Sequence, residues 1–196
     1  MGEEVSKGSI ADNTPGTVGT TLFCADYALL ALTFNSTKAR PAMTSIWPFK
    51  KETLKPDRLP LDGPWTIFEG HHDGRTMFVR TNMAYREYGS VEGYEHQVGI
   101  AVPLKNAASS GLPTPEENAQ LGEIEDAICG SLEEQAESLL VAVITTSGMK
   151  EFVLYSREPQ SVKRRFEQLC SRITSHEMQL MIQADSTWRT YARFGG

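Results

Sequence analysis

The run Leu139–Ile144, LLVAVI, is apolar at every position. A half-exposed strand alternates apolar and polar residues, so an unbroken apolar run of this length reads as a central strand buried in its sheet. Ser147-Gly148 follows as a turn. Phe152 and Leu154, alternating with Val153 and Tyr155, then supply the returning strand of a hairpin. A chain built around this hairpin needs strands beside it and helices over it.

The flanking sequence provides both. Before the hairpin, Thr114 reads as an N-cap, Pro115 as the first helical residue and Glu117 as the close of a capping box. Leu121, Ile124, Ile128 and Leu132 then form one apolar stripe. After the hairpin, a second helix over 158–173 turns Val162, Phe166, Leu169 and Ile173 inward. Its outer face, with Lys163, Arg164, Arg165 and Arg172, reads as solvated. Period-2 patterns mark strands in PWTIFEG, RTMFVRTN, HQVGIAVPL and EMQLMIQ. In the closing DSTWRTYARF, Asp185 or Ser186 caps a short helix. That helix sets Trp188 and Tyr191 on one face, over a sheet edge.

The order from Trp65 is β-β-β-α-β-β-α-β, which contains βαββαβ. Two helices on one face of an antiparallel sheet make an α+β, ferredoxin-like sandwich. It is expected over residues 65–196, with an extra N-terminal hairpin strand and a short C-terminal helix. Residues 1–42 read as a disordered or weakly ordered extension. Residues 43–64 read as a Pro-rich linker, with Met43 as an alternative start and residues 20–34 as an apolar stretch whose role stays open.

The one stretch that looks like chemistry is EGHHDG. His71, His72 and Asp73 are consecutive, which suggests a metal or general-base cluster. Against this, Asp-Gly between alternating runs is a hairpin-turn signal, and neighbours on a strand point to opposite faces. The turn is the preferred reading, with no metal and no cofactor expected. Tyr85, Tyr88 and Tyr94 lie in the next loop. They line a small-molecule or peptide site, or pin the loop to the core. The second is preferred.

The 196 residues carry a formal charge of -6, which weighs against nucleic acid and anionic membranes as partners. Cys24, Cys129 and Cys170 form no CxxC pair and fit reduced thiols of a cytoplasmic protein. The apolar run Leu22–Phe34 is interrupted by Asp26 and falls short of the roughly 20 residues of a membrane span. GxSxG, P-loop, GxGxxG and HExxH motifs do not occur.

Four stretches carry a family resemblance: PWTIFEG, HQVGIAVPL, KEFVLYS and DSTWRTY. Residues from about Trp47 to Phe194 resemble the bacterial family known as domain of unknown function 695. The last two stretches are also similar to the regulator of ribonuclease E activity type B family, ferredoxin-like inhibitors that act by binding. The first family implies no catalytic residues. The expectation is thus a non-catalytic binding or regulatory module with a protein partner or a second copy of itself. The alternative is a small hydrolase-type enzyme using His71, His72 and Asp73 with the tyrosine loop.

Overall fold

The computed structural model describes residues 51–60 and 63–195. The expected N-terminal extension, the apolar stretch 20–34, Met43 and Cys24 lie outside the described residues. In chain order the elements are β1 (Glu52–Leu54), β2 (Trp65–His72), β3 (Arg75–Asn82), β4 (Tyr88–Val91), β5 (His96–Pro103), α1 (Pro115–Leu132), β6 (Ser138–Thr146), β7 (Met149–Ser156), α2 (Pro159–Arg172), β8 (Gln179–Ala184) and α3 (Arg189–Arg193).

Six strands form one sheet in the order β2-β3-β6-β7-β5-β8, with every pairing antiparallel. The leading hairpin therefore adds two strands to the sheet, where one extra strand was expected. Two further short strands, β1 and β4, pair in parallel outside it. Neither was legible in the sequence: three or four residues are too few to show a period.

The sheet is covered on both faces. On one, the stripe Leu121, Ile124, Ile128 and Leu132 of α1 packs with Val162 and Leu169 of α2 on Leu140, Val143, Phe152 and Leu154. On the other, Trp188, Tyr191 and Phe194 pack with Tyr85 and Tyr94 on Val79, Val141, Val153 and Tyr155. This explains the unbroken apolar run: both faces of β6 need apolar side chains. A bulge contributes as well. Leu140 pairs with Leu154 and Ala142 with Val153, which leaves Val141 as the extra residue on the β6 side.

The stretch 43–64, expected as a linker, contributes β1 and a 3-10 turn at Pro56–Arg58. Leu54 is buried in the aromatic layer, and Leu59 packs against it.

At the start of α1, the Thr114 hydroxyl accepts from the Glu117 N–H, as the N-cap reading requires. The other half of the expected capping box is replaced. The buried Glu117 carboxylate accepts from the Lys105 and Asn106 N–H groups and lies 3.3 Å from His176 Nε2. A residue read as a cap thus ties three segments together.

Candidate functional site

The β2–β3 hairpin turns at Asp73 and Gly74, with φ of 49° and 75°. These are the two positive φ values of the mirror-image turn that Asp-Gly favours. His71 and His72 belong to β2 itself. His71 is exposed and His72 buried, as alternation demands. Among the described residues no group of three or more His, Cys, Asp and Glu side chains could hold a metal ion.

The tyrosines are elsewhere. Tyr85 and Tyr94 are buried in the aromatic layer, and Tyr88 packs against it half-buried. The loop that carries them follows Asn82, at the far end of β3 from the hairpin turn. Eight strand residues separate the two ends, which is roughly 25 Å. Histidines and tyrosines therefore do not converge on one site.

What the tyrosines build is a polar seam inside the aromatic layer. Trp188 Nε1 donates to the Tyr94 carbonyl at 2.8 Å, and the Tyr94 hydroxyl donates to the Ala136 carbonyl. The Tyr191 hydroxyl donates to the Asn82 carbonyl at 2.6 Å. The Tyr155 hydroxyl donates to Asp185 Oδ2 at 2.7 Å. Asp185 was expected as a possible cap, but Trp188, in left-handed backbone, holds the position before α3. The Asp185 carboxylate still accepts from the Arg189 and Thr190 N–H groups, each at 3.0 Å. Burial pushes the Asp185 carboxyl upward; the hydrogen bonds from Thr190, Tyr155 and Arg189 outweigh it and hold the group below its ordinary range.

Nucleophile chemistry finds no support in the described thiols. Burial, then the Glu133 carboxylate, pushes Cys129 up to about 12, and burial also raises Cys170. Glu151 was not singled out in the sequence. It stands on β7 beside Gly99, where a Cβ would lie 3.1 Å from Glu151 Oε1, so the carboxyl occupies the space a side chain would take. Burial raises it to about 7. No sequence signal could have marked it, because its environment comes from β5 and β8.

A concave feature of the surface lies where β2, β3 and the start of β6 meet. A groove of about 660 Å³ runs between Pro56–Pro60 and Ser138–Leu140, with Trp65, Tyr85 and Glu133 along it. Its rim is strained. Gln135 and Ala136 adopt φ of 54° and 53° in succession, a left-handed conformation costly for residues with a Cβ. The Tyr94 hydroxyl pins that turn through Ala136. Ser138, which lines the groove, is 1 % exposed, and its hydroxyl has no hydrogen-bond partner. One Glu133 oxygen accepts from the Leu140 N–H at 2.8 Å.

Trp65 stands at this groove and opens a second feature. Trp65 and Ile67 are 40 % and 67 % exposed, the exposed large hydrophobic residues among those described. They share one face of β2, which among the described residues closes the sheet on that side and pairs with β3 alone. The Arg80 guanidinium lies over the Trp65 ring at 4.8 Å and is held by Glu125 of α1.

A model of the family described as Family of unknown function (DUF695) matches residues 63–194, more than half of the chain. No curated protein and no solved structure matches it.

Proposed function

We propose, for a chain that belongs to the DUF695 family, a non-catalytic binding module that receives a protein partner on the β2 edge. The observation that carries this reading is the exposed pair Trp65 and Ile67 on an eight-residue edge strand. Natural edge strands are usually short, charged, broken by proline or covered, because their free backbone groups pair with other chains. Of the eight β2 residues, Glu69 is the one carboxylate, and there is no lysine or proline. A sheet face is the other surface such a module could use. Here the chain's own Trp188, Tyr191 and Phe194 occupy much of it.

The strand order supports a ferredoxin-like core. Across the sheet β8, β5, β7 and β6 lie side by side, which are the fourth, first, third and second strands of the βαββαβ unit, with β2 and β3 added beside β6. The resemblance of KEFVLYS and DSTWRTY to the regulator of ribonuclease E activity type B family, whose members are inhibitors that act by binding, is in line with this proposal. We assign the protein to a bacterial cytoplasm on the family resemblance and the unpaired cysteine spacing. No helix among the described residues is long and apolar enough to cross a membrane.

The test is affinity capture from native lysate with the wild type, Trp65→Ala and Ile67→Ser, each shown to be folded by circular dichroism. A partner held by the wild type and lost with both variants supports the reading. Equal capture by all three overturns it.

A further inference from the structure

We infer that the groove beside Trp65 binds an alkyl cation, an ammonium or guanidinium group on an aliphatic stem. This rests on the binding-module reading and names the chemistry recognised next to the docking strand. The walls and the polar groups each fit one part of such a ligand. Pro56, Leu59 and Leu139 line the groove with apolar surface, suited to methylenes that carry a charge at one end. The polar side is acceptor-rich. Asp57 and Glu133 both line it, and neither forms an ion pair with a described residue. No lysine or arginine among the described residues lines it.

Two acidic groups alone would be a solvated surface. Ser138 distinguishes this groove. Its hydroxyl is buried and unpartnered, and an unsatisfied buried polar group is destabilising. A donor entering the groove would satisfy it. Glu133 is arranged in the same sense. One of its oxygens is fixed by the Leu140 N–H, so the carboxylate is held in place at the groove wall. The strained turn at Gln135–Ala136 sits between these two residues, and strain of that kind gathers at functional positions.

The test is a titration of the full chain, followed by backbone and indole NMR shifts. The probes are n-butylguanidinium, acetyl-Gly-Arg-Gly-amide and, as neutral control, acetyl-Gly-Gln-Gly-amide. Saturable shifts at Leu139, Leu140 and the Trp65 indole are expected with both cations and not with the control. Equal affinity for the two cations identifies a free alkyl cation as sufficient; a preference for the peptide identifies a side chain of a protein. Glu133→Gln keeps the acceptor for Leu140 and should weaken binding about tenfold, or ~1.4 kcal/mol. Ser138→Ala should weaken binding while leaving the free protein as stable as before or more so, an outcome that a purely structural hydroxyl cannot give. Absence of saturable shifts in the millimolar range, or unchanged affinity in both variants, overturns the inference. Ile67 does not line the groove, so Ile67→Ser separates the two readings. If it abolishes partner capture while no cation binds, only this inference falls; if capture ignores it while the cation binds, only the docking strand does.

Discussion

The Trp188 indole lies flat on the Tyr155 ring, with centroids 4.2 Å apart and planes 13° from parallel. Tyr85 and Tyr191 meet the same indole edge-on at 5.6 and 5.7 Å. Trp188 is 1 % exposed and is therefore the centre of one core layer. Trp188→Ala removes that burial, leaves a cavity and strands the Tyr94 carbonyl. A loss of about 3–5 kcal/mol is expected, a large part of a domain's roughly 5–15 kcal/mol. Arg189→Ala, on an 80 % exposed side chain, should change stability by no more than ~0.5 kcal/mol. Chemical denaturation of both variants checks this; a fully stable Trp188→Ala protein would show that the stacked layer is dispensable.

Glu151 gives a pH dependence of opposite sign to an ordinary paired carboxylate. Its carboxyl is raised by burial from 4.5 to about 7 in the folded protein, so folding favours the protonated form. Stability from this group is complete below the unfolded value, and it falls as pH rises through about 7. Glu151→Gln mimics the protonated form. It should raise the thermal midpoint at pH values above that window and leave it unchanged below 4.5. Melting curves across the range would expose the error if the gain were equal at both ends.

His71→Ala with His72→Ala should leave the metal content of the purified protein unchanged. The two rings leave opposite faces of β2, and only Asp73 follows before the turn glycine. Elemental analysis showing near-stoichiometric zinc that vanishes in the double variant would sink the turn assignment.

A chain that begins at Met43 should unfold at the midpoint of the full chain. One that begins at Gly63 loses β1 and the buried Leu54. Burial of a leucine contributes about 1.5–3 kcal/mol, so its midpoint should fall by several degrees. If both truncations behave alike, Leu54 adds nothing to the core.

The sequence displayed elements whose signals are local. The Thr114 cap, the α1 stripe, the Asp73-Gly74 turn and the paired strands were legible because a period or a turn residue marks each. Trp188 was legible as part of the closing helix's inward face for the same reason, though it sits on the sheet face and not over an edge. Its depth was not, since Tyr85 and Tyr155 reach it from positions far apart in the chain. The groove escaped notice on similar grounds. Pro56, Trp65 and Ser138 come from three distant segments, and an unpartnered hydroxyl has no sequence signature. Glu117 misled in a specific way: a capping box and a buried clamp share the same spacing.

The extra residue in β6 bears on how the gene can change length. Elsewhere in the sheet, losing one residue inverts every side chain beyond it and exchanges the two core layers. In β6, removing Val141 would leave Leu140 facing the helices and Ala142 facing the aromatics, in strict alternation. The strand thus holds a spare position, and a one-codon deletion near Val141 is the length change this sheet can absorb without turning its central strand inside out.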